Sequence, residues 1–91
     1  MELTGKVVVV TGGASGIGTG LCRRFREEGV RALIIADLNG EAVAALADEL
    51  DAVGVTLDVR DEAAIAAMVS EVEAQFGQID LFCSNAGILN L

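Results

Sequence analysis

The chain lacks histidine altogether, and this absence excludes several kinds of active site. A zinc site normally combines cysteine and histidine ligands at short spacings, whereas the two cysteines here, Cys22 and Cys83, lie far apart in the sequence. Histidine is equally missing as a general base. We therefore predict no metal site, and we expect two reduced, buried thiols in a cytoplasmic protein.

Positive charge and long apolar runs are scarce as well. Fourteen acidic residues against six basic residues give a net charge of −8, and a field of that sign repels a nucleic-acid backbone and an anionic membrane surface. The basic cluster Arg23, Arg24 and Arg26 is typical of a solvated helix face. No stretch approaches the roughly 20 apolar residues of a membrane-spanning helix, and the opening run of four valines is too short for a secretory leader. We expect neither nucleic acid nor membrane as a partner.

The composition favours one small domain over residues 1–91. Hydrophobic residues make up 53% of the chain, which excludes a disordered polypeptide. Aromatic residues make up only 3%, and alanine, valine, leucine and glycine dominate. This composition suits strands that are buried on both faces and helices of small residues packed against them.

Apolar runs alternate with helical patterns along the chain. The predicted strands are Lys6–Thr11, Ala32–Ala36, Val53–Leu57 and Leu81–Ser84, and the predicted helices are Ile17–Glu28, Glu41–Leu50 and Glu62–Phe76. In the first helix, Ile17, Leu21 and Phe25 recur every four residues and are predicted to form its buried stripe. Asn39 and Asp61 are predicted to cap the second and third helices.

The order β-α-β-α-β-α-β predicts an α/β fold, namely a Rossmann-like doubly wound parallel sheet in partial form, with strand order 3-2-1-4. Two helices then cover one face and the third covers the other. The carboxyl ends of the strands meet at one edge of the sheet, and they carry Thr11-Gly12, Asp37, Asp58 and Ser84-Asn85. We expect the functional site at that edge.

A glycine-rich turn, Thr11–Gly18, joins the first strand to the first helix. The N–H groups at a helix N-terminus have no intrahelical acceptor and carry partial positive charge, so phosphate oxygens bind there when no side chain intervenes. Gly12 can adopt backbone angles closed to other residues, Gly16 lets a pyrophosphate approach, and Gly18 permits close helix packing. The predicted cofactor-binding residues of this turn are Gly12, Ser15, Gly16, Ile17 and Gly18.

An acidic residue ends the second strand. Asp37 lies nineteen residues beyond Gly18, where a carboxylate can accept hydrogen bonds from both ribose hydroxyls of an adenosine and would repel the 2′-phosphate of NADP. Its neighbour Leu38 is not basic, so the pattern predicts NAD, with both residues at the cofactor. The alternative is that Asp37 only caps a surface turn.

Polar and small residues also follow the third and fourth strands. Asp58, followed by Val59, could accept from the adenine amino group, or could only cap the next helix together with Asp61. Asn85-Ala86-Gly87 would let a nucleoside lie against the backbone, or is simply a turn. We predict Asp58, Val59, Asn85, Ala86 and Gly87 as further cofactor-binding residues.

Together these motifs resemble the short-chain dehydrogenase/reductase family over essentially all 91 residues. The matching positions are Thr11, Gly12, Gly16 and Gly18 in the turn, Asp58 after the third strand, and Asn85, Ala86 and Gly87 after the fourth. Ser84 stands where the family usually has a first asparagine, and it can still form hydrogen bonds. Asp37 resembles the NAD-selecting acid of the NAD-preferring members.

The resemblance also implies what the chain lacks. Members use a Tyr-x-x-x-Lys pair, with a serine and an asparagine, further along the chain. The tyrosine is their acid/base, and the lysine lowers its pKa and holds the nicotinamide ribose. This chain has no tyrosine, and its only lysine is Lys6. It is therefore interpreted as the N-terminal NAD-binding part of an oxidoreductase that acts on an alcohol or carbonyl substrate, inactive alone: a truncated product, a partial sequence or a short isoform.

Two other functions remain open. One is a non-catalytic nucleotide-binding or interaction fragment, which could self-associate through the exposed fourth strand, Leu81–Ser84, because an apolar edge strand is an association hazard. The other is an S-adenosylmethionine methyltransferase, whose fold shares a glycine turn and an acid after the second strand. The phosphate-facing turn and Asn85-Ala86-Gly87 argue against the methyltransferase.

Overall fold

A computed structural model describes residues 2–84, in which four strands and three helices alternate. The elements are β1 (Val7–Thr11), α1 (Gly16–Glu27), β2 (Ala32–Asp37), α2 (Gly40–Leu50), β3 (Val53–Thr56), α3 (Glu62–Phe76) and β4 (Leu81–Ser84). All seven predicted elements form, and their ends differ from the predicted ends by no more than one residue. The predicted Asn85-Ala86-Gly87 site lies outside the described residues.

The four strands form one parallel sheet in the order β3-β2-β1-β4, which confirms the predicted Rossmann-like topology. Alternate residues of β1 point to opposite faces, as the pleat requires. Val7 and Val9 pack with Met68 of α3, whereas Val8 and Val10 pack with Phe25 of α1. The first two helices therefore cover one face and α3 covers the other, as predicted.

Burial divides the sheet into a central pair and two edges. Val7 to Val10 and Leu33 to Ala36 are at most 1% exposed, because they have a strand on each side and helices on both faces. The edge strand β3 is largely exposed, and β4 is half-buried. The prediction that the strands are buried on both faces is therefore correct for β1 and β2 and wrong for β3, whereas β4 is half-buried at the edge where an exposed apolar strand was predicted.

The buried stripe of α1 differs from the predicted one. Ile17 is 74% exposed and Leu21 is only partly buried, whereas Gly18, Cys22 and Phe25 face the sheet. The helix begins at Gly16, so Ile17 stands in its first turn, at the carboxyl edge of the sheet. The prediction for Ile17 was therefore wrong because helical spacing fixes a common face, not whether that face is covered along its whole length.

Side chains at the helix ends fix how the helices begin and join. The predicted caps form, since the side chains of Asn39 and Asp61 each accept from a backbone amide of the following helix at 3.1 Å. Arg26 departs from the expected solvated cluster: its guanidinium donates to the carbonyl oxygens of Leu50 at 2.9 Å and Asp51 at 3.2 Å, at the end of α2. It thereby links α1 to α2, since these terminal carbonyls have no intrahelical donor.

Polar groups also tie β4 to the centre of the sheet. The Thr11 hydroxyl, which is 1% exposed, donates to the Ser84 hydroxyl at 3.1 Å. At the other end of the same pair of strands, the Val7 amide donates to the Asp80 carboxylate at 2.8 Å. These two contacts fix the register of an outer strand that is only half-buried.

The described helices are short. The longest, α3, has 15 residues, and a bilayer-spanning helix needs about 20. Within residues 2–84, no helix combines the length and the hydropathy needed to cross a membrane.

Both cysteine thiols are free. Cys22 is buried under the glycine turn, and this burial raises the pKa of its thiol to about 11. Cys83 is only half-buried, which is less than expected, and desolvation raises its pKa as well.

Candidate functional site

A pocket of about 390 Å³ opens at the carboxyl edge of the sheet, where the ends of β1, β2 and β3 meet. This volume lies within the range of small-molecule sites, about 300–1,000 Å³. Its lining residues are Gly12, Ser15, Asp37, Leu38, Asp58, Val59 and Arg60. Six of the seven are among the residues predicted from the sequence, and Arg60 is the exception.

The glycine turn needs its glycines for two separate reasons. Gly12 has φ of +70°, a left-handed conformation that other residues rarely adopt. Gly18 lies against the turn itself, and a Cβ atom there would overlap the carbonyl of Gly12. Glycine at position 18 is therefore required by the turn's own backbone, whereas the sequence argument invoked helix–strand packing. By contrast, a Cβ atom at Gly16 would meet no protein atom within 4 Å.

Three consecutive amides of the turn bind the end of β2. Gly12 and Gly13 donate to the carbonyl oxygen of Ala36 at 2.7 and 3.3 Å, and Ala14 donates to Oδ2 of Asp37 at 3.0 Å. The turn, which joins β1 to α1, is thus also held in place by hydrogen bonds to the neighbouring strand β2.

The N-terminus of α1 presents its first amides at this edge. The side chain of the N-cap residue, Ser15, makes no capping bond to them, and its hydroxyl donates to the carbonyl of Gly12 at 2.8 Å. The first turn of α1 also contains no acidic residue. The amides of Gly16, Ile17 and Gly18 therefore belong to a helix end whose partial positive charge is not offset by a neighbouring carboxylate on the helix.

Asp37 caps the turn that follows it, which was the alternative interpretation, and it also binds the glycine turn. Its Oδ1 accepts from the amide of Asn39 at 3.1 Å, and its Oδ2 accepts from the amide of Ala14. A carboxylate offers about four acceptor positions, so about two remain. Asp37 is partly buried and faces the pocket. Asp37 can therefore bind these two amides and still accept hydrogen bonds from a ligand in the pocket.

Asp58 has a different partner. Its Oδ1 accepts from the backbone amide of Arg60 at 2.9 Å and from Nε of the same residue at 3.1 Å, and its Oδ2 accepts from Nη2 at 2.9 Å. These bonds, led by those from the guanidinium, lower the pKa of the Asp58 carboxyl to about 2. The suggested sharing of the helix cap does not occur, because Asp61 alone supplies the side chain that caps α3. About one acceptor position of Asp58 remains.

The remaining predicted residues fall into three groups. Leu38 and Val59 line the pocket, and Leu38 is 64% exposed. Gly16, Ile17 and Gly18 stand at the adjoining helix end but do not line this pocket. Asn85, Ala86 and Gly87 lie outside the described residues. Arg60 escaped prediction because its role follows from the turn after Asp58, which folds its guanidinium back onto that carboxylate.

Known proteins share this chain's sequence over nearly its whole length. The family model described as short chain dehydrogenase matches residues 6–91. The 3beta-hydroxysteroid dehydrogenase 2 of Eggerthella lenta is 45% identical over 95 residues, covering 97% of this chain and 35% of that protein. The 2-dehydro-3-deoxy-L-rhamnonate dehydrogenase (NAD(+)) of Sphingomonas sp. is 45% identical over 85 residues, covering 92% of this chain and 34% of that protein.

A solved structure agrees with the fold. The 3-ketoacyl-(acyl-carrier-protein) reductase of Brucella melitensis, complexed with NADH, superposes with a TM-score of 0.81 at 33% identity, covering 88% of this chain and 34% of that one. The chain thus spans about a third of the length of the proteins it matches. With a family model matched from Lys6 to Leu91, the chain belongs to the short-chain dehydrogenase/reductase family.

Proposed function

We propose that this chain is the NAD-binding part of a short-chain dehydrogenase/reductase. The observation that carries the proposal is the Asp37 carboxylate, which lies in a pocket beside the glycine turn and keeps about two acceptor positions open. The two adjacent hydroxyls of a ribose can both donate to a single carboxylate that has two acceptor positions open. Membership of the family and the Brucella melitensis relative complexed with NADH support a nicotinamide dinucleotide as the ligand.

Each part of the ADP half of the cofactor would meet a matching group at this edge. The pyrophosphate would bind the amides of Gly16, Ile17 and Gly18, which the N-terminus of α1 presents. The adenine amino group would donate to the remaining acceptor position of Asp58. The apolar side chains of Leu38 and Val59 would flank the adenine ring, and Gly12 and Ser15 would line the ribose side. A nucleoside contact at Asn85, Ala86 and Gly87 stays a prediction.

The charges around the ribose position favour NAD over NADP. A 2′-phosphate would stand beside the Asp37 carboxylate, with the uncharged Leu38 as its neighbour. Arg60 is the one cationic residue among those lining the pocket, and its guanidinium is already paired with Asp58. The Sphingomonas relative carries NAD(+) in its name, which agrees with this preference.

Catalysis would require residues beyond those of this chain. In its full-length form the protein would transfer hydride between NAD and an alcohol or carbonyl substrate, as the family implies. The only lysine, Lys6, immediately precedes β1 and therefore lies at the amino end of the sheet, opposite the pocket. We expect the 91-residue chain to bind NAD without turning over an alcohol.

The test is calorimetric titration of the chain with NAD and NADP, using two glycine variants of α1 as a matched pair. Gly16 and Gly20 both have room for a Cβ atom, so Gly16→Ala and Gly20→Ala should fold equally well and gain about 0.5–1 kcal/mol of stability. Only Gly16→Ala places a methyl group at the proposed pyrophosphate. We expect it to weaken NAD binding about tenfold or more, a loss of about 1.4 kcal/mol, with Gly20→Ala unchanged.

The titration can also contradict the proposal. A folded chain that binds neither nucleotide, or that prefers NADP, would remove the role given to Asp37. Equal NAD affinity in the two alanine variants would remove the role given to the first turn of α1. Far-ultraviolet circular dichroism on each sample establishes that the variants are folded.

A second candidate is an interaction fragment that self-associates. In the described part of the chain, β4 pairs only with β1, so its outer edge presents unpaired backbone groups. Size-exclusion chromatography with light scattering should show dimers or larger species. Leu81→Lys on β4 should return the chain to a monomer, whereas Val53→Lys on the opposite edge should not. A monomer at all concentrations would rule this candidate out.

A further inference from the structure

The glycine turn is held from β2 by an unequal pair of contacts. One is the carbonyl of Ala36, which is shared between the amides of Gly12 and Gly13 at 2.7 and 3.3 Å. The other is the side chain of Asp37, which holds the amide of Ala14 at 3.0 Å in a partly buried contact. The first contact is made by backbone groups and does not depend on the side chain of Ala36, while the second depends on the side chain of Asp37.

The contact to Ala14 lies close to the proposed phosphate site. Only Ser15 separates Ala14 from Gly16, the first residue of α1. Gly12 has a positive φ, and glycines on both sides of the turn give its backbone unusual freedom. Releasing the Ala14 amide would therefore let the turn move. The amides at the start of α1 would then no longer point together toward the proposed phosphate site.

The acceptor positions of Asp37 allow one carboxylate to serve two ligands at once. The amides of Ala14 and Asn39 take about two of its four positions, so two ribose hydroxyls can bind without displacing either amide. We propose that Asp37 is also a positioning residue for the pyrophosphate, because its bond to Ala14 holds the glycine turn in the conformation that presents the helix amides. This inference rests on the proposed function and adds a second role to the same residue.

The two roles can be separated with a ligand that lacks the ribose hydroxyls. ADP and 2′,3′-dideoxyadenosine 5′-diphosphate carry the same diphosphate, but only ADP can donate to Asp37 through its ribose. Affinity for the dideoxy ligand therefore reports on the turn without the ribose bonds. Binding of both ligands to the full chain can be measured by calorimetry.

Two substitutions of Asp37 distinguish holding the turn from carrying charge. Asp37→Asn keeps an oxygen acceptor, and its oxygen should face Ala14, because the Ala14 bond is partly buried while the Asn39 amide is exposed to water. Asp37→Ala removes the acceptor. Both variants lose the negative charge, so relief of repulsion toward the diphosphate is the same in each.

We expect Asp37→Ala to bind the dideoxy ligand about three- to tenfold more weakly than Asp37→Asn, the size of one hydrogen bond. Equal binding by the two variants would overturn the positioning role. If the unsubstituted chain binds neither ADP nor NAD, the proposed function fails, and the role of Asp37 in the turn is decided by amide exchange instead.

Hydrogen exchange supplies that second readout and does not depend on a ligand. The Ala14 amide should exchange about tenfold faster in Asp37→Ala than in Asp37→Asn, and the amides of Gly16 and Ile17 should shift in the nuclear magnetic resonance spectrum. The amides of Val8 to Val10 in β1 report whether the sheet is intact. Unchanged Ala14 exchange with an intact sheet would overturn the proposal.

Discussion

The ends of β2 and β3 show how the same sequence signal acquires two different functions. Asp37 is the last residue of β2, Asp58 lies two residues beyond the end of β3, and both aspartates line the same pocket. β2 lies between two strands, so Asp37 faces the glycine turn and accepts from two neutral backbone amides. β3 is an edge strand, and Asp58 pairs with the exposed Arg60. The neighbours of a strand decide what its terminal carboxylate can bind.

The largest expected difference between the two regions is in stability. Ile34 of β2 and Val53 of β3 are register partners, but Ile34 is fully buried and Val53 is 37% exposed. Ile34→Ala should lower the free energy of unfolding by about 2–5 kcal/mol, because it leaves a cavity between two packed faces. Val53→Ala should cost less than about 1 kcal/mol. Urea unfolding followed by circular dichroism measures both, and similar costs would show that the edge is as well packed as the centre.

The next largest effect concerns NAD affinity. Asp37→Asn should weaken binding of NAD about tenfold, since it removes a charged acceptor of two ribose hydroxyls. Asp58→Asn should weaken it only about threefold, because most of the acceptor capacity of Asp58 is already taken by Arg60. Calorimetry on the two variants tests the ranking. If Asp58→Asn weakened NAD binding more than Asp37→Asn, the end of β3 and not the end of β2 would be the more important for the cofactor.

The smallest effect is confined to the Asp58 carboxyl. Its pKa of about 2 lies below the ordinary value of 3.8, so the pairing with Arg60 stabilises the fold above pH 4 and is lost as the pH falls toward 2. Arg60→Gln should raise this pKa toward the ordinary value and flatten the pH dependence of stability in that range. Carbon-detected titration of the Asp58 carboxyl measures the shift. An unchanged midpoint would mean that the arginine does not hold the carboxylate in solution.

Local signals predicted the fold well. Val7 to Val10 indicate a strand covered on both faces, and Asn39 and Asp61 cap the helices that the periodicity predicts. These features depend on residues close in sequence. The exposure of Ile17 and of β3 could not be predicted in this way. It depends on which other helices and strands pack against these residues, and those elements are distant in the sequence.

The site was predictable in position and less so in its bonding. The topology places strand ends together, so Gly12, Asp37 and Asp58 were expected at one pocket. The bond between Ala14 and Asp37, and the pairing of Arg60 with Asp58, depend on side-chain directions that no periodicity encodes. For Asp37, capping and ligand binding had been treated as alternatives, whereas its carboxylate has room for both.

The polar ties between β1 and β4 have a kinetic consequence. The Thr11–Ser84 and Val7–Asp80 bonds each join residues 73 positions apart, while β1 and β2 pair across a single short crossover. Closing so long a loop costs entropy before any contact compensates for it, and such pairings form slowly. During synthesis β2 can pair with β1, and β3 can then pair with β2. The other edge of β1 stays unpaired until β4, which ends at Ser84, has been made. Of the two central strands of the described sheet, β1 is therefore the later to have both its neighbours.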